Sequence, residues 1–187
     1  MTTPDPAVEF AAWTQPDTGF SVSYPVPLFH EIDFVVNEGY RRIPHGGIEI
    51  GALLFGTREP GGVRLQTFRI IQCEHALGPS FVLSERDIRA LREQIAAAGA
   101  DPELKGLEAA GWFIAHTRTP LIMTDREAGV FNALFPDPGK LTLLIKPERF
   151  KPTLFAFLVR DESGNAPRDG TQHAFLLPLP GRASVRL

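Results

Sequence analysis

At 187 residues and 43% hydrophobic composition, the chain suffices for one well-packed domain and is short for two. A formal charge of −3, from 19 Lys and Arg against 22 Asp and Glu, comes with no basic stripe of the kind that nucleic-acid or anionic-membrane binding needs, so neither is expected as a partner. The single cysteine, Cys73, excludes an intrachain disulfide.

The opening Met1-Thr-Thr-Pro-Asp-Pro6 has neither the charge nor the apolar run of a signal peptide, and no apolar stretch approaches the ~20 residues of a bilayer span, so a cytoplasmic protein is expected. Pro4, Pro6 and Pro16 among small and acidic residues predict a flexible N-terminal arm over residues 1–18, with one domain over 19–187. Phe20 to Tyr24 alternates enough for a short strand. From Leu28 to Arg42 the residues Phe29, Ile32, Val35, Val36 and Tyr40 recur at helical spacing until Pro44 and Gly46-Gly47 stop the pattern. Ile48 to Gly56 is nearly continuous apolar sequence apart from Glu49, as in a strand covered on both faces, and Pro60-Gly-Gly62 turns it into a partner strand over Val63 to Cys73.

A helix is predicted from Ser84 to about Gly99, a strand over Gly111 to His116, a helix from Thr124 to Leu134, strands over Lys140 to Ile145 and Thr153 to Val159, and a last strand near His173 to Leu179. This order predicts a single α/β domain in which a mixed sheet is flanked by helices.

Several residues carry possible chemistry. A lone acid in an apolar strand is costly to bury and normally has a partner or a purpose, which singles out Glu49. Thr124-Asp-Arg-Glu127 has the Ser/Thr-x-x-Glu pattern of a capping box, and Ser84-Glu-Arg-Asp87 is close to it. His116 ends an apolar strand, where a hydrogen-bonded structural histidine is the commoner role. Cys73 and His75 would share a strand face and are read as core packing rather than a soft-metal site. Arg118, Arg126 and Arg149 are candidates for a pocket rim, and Phe131, Phe135 or Phe150 for an exposed partner patch.

Taken together, Glu49 in Ile48-Glu-Ile-Gly-Ala-Leu-Leu-Phe-Gly56, then His116, Thr124 and Glu127, resemble the motif of the JAB/MPN (JAMM) metalloproteases: a glutamate on an early strand, His-x-His, seven residues, Ser, two residues, Asp. Cys73 to Phe81, Thr117-Arg-Thr119, Phe131 to Pro136 and Leu144 to Pro147 look like a bacterial branch of that family, so the likeness spans about residues 30–160. It implies a cytidine-deaminase-like mixed sheet with flanking helices. In the family a zinc held by two histidines and the aspartate cuts peptide and isopeptide bonds, notably at ubiquitin-like modifiers. Carried over, Glu49 would be the general base, His116 and Glu127 metal ligands, and Thr124 the oxyanion partner.

Ile114 stands where the first histidine belongs. Residues two apart on a strand share a face, so its side chain would aim at the metal position, and an alkyl group has no lone pair to give. Glu127 adds a methylene to the expected aspartate and displaces the ligand atom. The expected protein is therefore a JAB/MPN-like domain with a degenerate motif, non-catalytic and without a cofactor, serving as a protein-interaction or scaffold module whose partner is another JAB/MPN-type or ubiquitin-like protein. The alternative is a zinc metallopeptidase or isopeptidase in which His45 or His75 replaces the missing ligand. A third is a metal-free small-molecule pocket built from Glu49, His116 and Thr124.

Overall fold

The computed structural model describes residues 8–177. Along the chain run β1 (Phe10–Thr14), β2 (Ser21–Pro25), α1 (Val26–Arg41), β3 (Gly51–Glu59), β4 (Gly62–Ile70), α2 (Glu85–Ala97), β5 (Glu108–Ala115), α3 (Asp125–Leu134), β6 (Leu141–Glu148) and β7 (Lys151–Val159). The strands form one seven-stranded sheet in the order β1-β2-β4-β3-β5-β6-β7. The β2–β4 and β5–β6 pairs are parallel and the others antiparallel, so this is the mixed sheet of an α/β domain. Among the described residues no helix is long and apolar enough to cross a membrane.

Side chains alternate across the sheet and build two cores. Phe113 and Ala115 of β5 face α1, where Phe29, Ile32 and Val36 meet Leu143, Ile145, Phe155 and Phe157. Trp112 and Ile114 face the other way, toward Leu91 of α2 and Phe131 of α3, with Leu53, Phe55 and Leu144 as neighbours. Both faces of the central strands are covered, which is why β3, β5 and β6 read as almost unbroken apolar sequence. α1 begins earlier than expected because Pro27 lies in its first turn, where proline's missing N–H has no intrahelical partner to lose.

The segment between α1 and β3 is pressed against the helix. Ile48 N–H donates to the Gly39 carbonyl at 2.8 Å, and at Gly47 (φ +62°) a Cβ would overlap the Tyr40 backbone. This close approach brings Glu49 to the edge of β3.

Other boundaries differ from the expectation as well. The arm predicted over residues 1–18 contains β1, paired with β2 from Phe10↔Pro25 to Thr14↔Ser21, with the Trp13 ring tilted against Phe157 at 5.3 Å between centres. The prolines flank Phe-Ala-Ala-Trp-Thr without interrupting it, and an edge strand needs only one satisfied side. Residues 1–7 of that predicted arm lie outside the described residues. β3 starts at Gly51, leaving Glu49 in the extended approach to it, and β4 ends at Ile70, so Cys73 and His75 sit in a loop rather than on a strand face. The expected last strand is reduced to a turn over Thr171–His173 and a single Phe155↔Phe175 bridge, and its predicted end lies outside the described residues.

Candidate functional site

β5 ends at Ala115, and His116 continues its line by donating N–H to the Ile145 carbonyl at 2.7 Å. The imidazole is 1% exposed and held at both nitrogens: Nδ1 lies 2.9 Å from the Pro120 carbonyl oxygen and Nε2 lies 3.0 Å from Oε1 of Glu127. A carbonyl oxygen only accepts, so Nδ1 carries a hydrogen. The proton between Nε2 and the carboxylate then decides the charge of the pair.

Burial pushes the His116 pKa down, but the hydrogen bond and charge of Glu127 outweigh it, with help from the Pro120 carbonyl and the Glu49 charge, and the net shift is upward. For Glu127 burial pushes upward and is outweighed by the hydrogen bond and charge of His116 and by Thr124, so the net shift is downward. Both directions describe an imidazolium paired with a carboxylate.

Thr124 caps α3 in a reciprocal box: its Oγ1 accepts from Glu127 N–H at 3.2 Å, and Glu127 Oε2 accepts from Thr124 N–H at 2.7 Å. Ser84 and Asp87 do the same for α2, and Asp87 also accepts from Glu74 N–H. Glu127 thus serves the helix with one oxygen and the histidine with the other.

Glu49 is 5% exposed and works as a clamp. Its Oε1 accepts from Thr117 N–H at 2.9 Å, Thr117 Oγ1–H at 3.0 Å and Arg118 N–H at 3.2 Å, while Oε2 accepts from Phe81 N–H at 3.1 Å. The Arg118 side chain lies 4.0 Å from the carboxylate and ties back to the Gly47 carbonyl at 2.6 Å. Two loops far apart in sequence are thereby fastened to one side chain.

Between these groups lies a cavity of about 200 Å³ with Glu49, Phe81, Leu83, Trp112, Thr124 and Glu127 in its lining. The structure therefore brings Glu49, His116, Thr124 and Glu127 into one neighbourhood. Ile114 is fully buried in the apolar cluster with Leu121 and Met123, on the face that carries Trp112, and does not line the cavity. Of the candidate rim arginines, Arg126 lines the cavity and donates to the Leu83 carbonyl at 2.8 Å, whereas Arg149 belongs to a different cleft beside α1. Phe131 and Phe135 are buried, 6.2 Å from Trp112 in each case, and do not form a surface patch; Phe150 is exposed.

Trp112 and Pro120 carry no role in the sequence pattern, and Thr117 enters it only within the Thr117-Arg-Thr119 likeness. Trp112 was recoverable, because it is two residues from Ile114 on the same strand face. Pro120 meets His116 through its carbonyl, and Thr117 holds Glu49 through its N–H as well as its hydroxyl; backbone groups leave no residue-type signal.

These donors do not fit a catalytic zinc, which needs three protein ligands with free lone pairs. His116 and Glu127 supply two, and the alkyl side chain of Ile114 has none to give. Among the described residues no three His, Cys, Asp or Glu side chains group so as to hold a metal ion. The two candidate substitutes are placed elsewhere: His45 sits at φ +63° in the lining of the α1 cleft, and His75 holds the Ser80 carbonyl at 3.3 Å.

No protein-family model matches the chain, and no curated protein matches it. Among solved structures, a Desulfitobacterium hafniense protein is 16% identical with a TM-score of 0.44, the match covering 74% of this chain and 86% of that one. A Salinibacter ruber protein is likewise 16% identical with a TM-score of 0.47, covering 88% of this chain and 95% of that one. Neither likeness carries anything about the activity of this chain.

Proposed function

We propose that the chain is a JAB/MPN-like domain whose hydrolytic centre has been replaced by internal bonding, and that it acts without metal or cofactor as a protein-interaction or scaffold module. Its partner is a protein, another domain of this kind or a ubiquitin-like protein, and its setting the cytoplasm. The observation that carries the reading is the His116–Glu127 pair: at 3.0 Å, with the other ring nitrogen donating to Pro120, the two residues satisfy one another within the fold, and Ile114 adds no third donor.

Two further features support it. The Glu49 carboxylate accepts four hydrogen bonds, three at Oε1, which engages lone pairs that a general base would turn on water. The adjoining cavity, about 200 Å³, is smaller than the ~300–1,000 Å³ typical of small-molecule sites, which favours the surface over the pocket as the working part.

The test is zinc content by mass spectrometry of protein purified without added metal. The parent is expected to carry far less than one zinc per chain. One firmly held zinc in the parent would overturn the reading and restore the metallopeptidase alternative.

A further inference from the structure

β1 closes one end of the sheet and β7 the other, and the two edges are not alike. The β7 edge carries the Phe155↔Phe175 bridge, whose backbones exchange hydrogen bonds of 2.8 and 3.0 Å. Among the described residues β1 pairs with β2 alone.

Hydrogen bonds at the two ends of β1 fix which of its backbone groups point away from the sheet. The Glu9 carbonyl accepts from Val26 N–H, and Gln15 N–H donates to the Phe20 carbonyl, each at 2.8 Å. In an antiparallel pair the bonded positions recur at every second residue. Glu9, Ala11, Trp13 and Gln15 therefore face β2, and the N–H and C=O groups of Phe10, Ala12 and Thr14 face outward as a short unused ladder.

An edge strand is ordinarily protected from a new neighbour by a charge, a proline or a bulge. Phe10-Ala-Ala-Trp-Thr14 has none of these: it is uncharged, and its register with β2 runs without a shift. The apolar side chains beside the free ladder are in water, Val8 56% and Phe10 51% exposed. The Arg64 guanidinium lies over the Phe10 ring, but it is paired with Glu59 at 2.9 Å and brings no uncompensated charge to the edge.

We propose that a second copy of the chain adds its β1 to this edge, antiparallel about a two-fold axis at Ala12, so that two sheets become one. The strand is complementary to itself in that register. The outward N–H groups of each copy meet the outward carbonyls of the other, Phe10 of each faces Thr14, and Trp13 of each faces Ala11, so every aromatic ring stands opposite a smaller side chain. Glu9 faces the neutral amide of Gln15, and no charge meets its like across the pair. This assignment deepens the interaction-module reading by naming the partner. A zinc-loaded parent would remove that reading and leave the edge, whereas a strict monomer would remove the edge and leave that reading.

The test is sedimentation velocity of the intact chain over a concentration series, with amide hydrogen exchange followed at the same concentrations. The protein is expected to pass from monomer to dimer as concentration rises, and the amides of Phe10, Ala12 and Thr14, which exchange freely in the monomer, to slow as the dimer forms. Ala12 is exposed, so Ala12→Lys should melt as the parent does at low concentration. On the axis it sets two ammonium groups against each other, and it is expected to sediment as a monomer throughout. The inference is overturned if the parent stays monomeric through the micromolar range, if a dimer forms without slowing those three amides, or if Ala12→Lys dimerises as the parent does.

Discussion

Nε2 of His116 stands 3.0 Å from Oε1 of Glu127, with the ring 1% and the carboxylate 12% exposed, so the two charges share one sparsely hydrated contact. Removing one partner from such a pair leaves the other buried and uncompensated, at about 3–5 kcal/mol. The pair is thus a structural joint between the end of β5 and the start of α3.

The joint should be visible in the pH dependence of stability. The folded His116 pKa is raised above its ordinary 6.5, so its contribution is complete below pH 6.5 and is lost as pH climbs through the raised value. The folded Glu127 pKa is lowered below its ordinary 4.5, so its contribution is complete above pH 4.5 and is lost as pH falls through the lowered value. Stability from the pair is expected to be greatest between these limits. In urea melts across pH, Glu127→Gln should remove the alkaline decline and, because burial without the carboxylate disfavours the imidazolium, move the acid decline to the pH at which His116 protonates; a variant that keeps the parent's profile would show that the pair is not ionised.

Thr124 is expected to matter as a cap. Thr124→Ala deletes the Oγ1 acceptor of Glu127 N–H and should cost about 1–2 kcal/mol in chemical denaturation, with Thr124→Ser close to the parent. Equal stability of the alanine variant would argue against the capping role.

Glu49→Gln separates clamp from base. The amide can satisfy Thr117 and Arg118 with its oxygen, but its NH₂ then meets the Phe81 N–H, donor against donor, at about 1–3 kcal/mol. Amide hydrogen exchange should quicken at Phe81 and, in Glu49→Ala, at Thr117 and Arg118 as well. Unchanged protection at all three would sink the clamp.

Gly111→Ala should be among the most damaging single changes. Gly111 sits beside the irregularity between Leu54 and Phe55 in the β3–β5 register, and a Cβ there would overlap the Leu141 carbonyl of β6. The loss is expected to exceed the ~1 kcal/mol typical of point mutations by a wide margin, read as a large drop in melting temperature or failure to fold.

Much of this architecture was legible before any coordinates. Three-residue spacing in α1, unbroken apolar runs in β3, β5 and β6, and the boxes at Ser84 and Thr124 are local signals, written in neighbours that touch within a turn or a strand. The gathering of Glu49, His116, Thr124 and Glu127 was legible only through the family resemblance.

Misreadings arose where distant parts of the chain decide. Phe10–Thr14 is a strand because β2 offers it an edge, and Cys73 and His75 leave the sheet because β4 pairs with β3 no further than Ile70↔Ala52. By itself the sequence determined the three helices, the central strands and which helices carry boxes. Only the tertiary structure decided the chemistry: that Glu49 is spent on Thr117, Arg118 and Phe81, that Pro120 accepts the Nδ1–H of His116, and that Phe150 is left out in water. Those outcomes turn on backbone groups and three-dimensional proximity, which residue types in linear order do not encode.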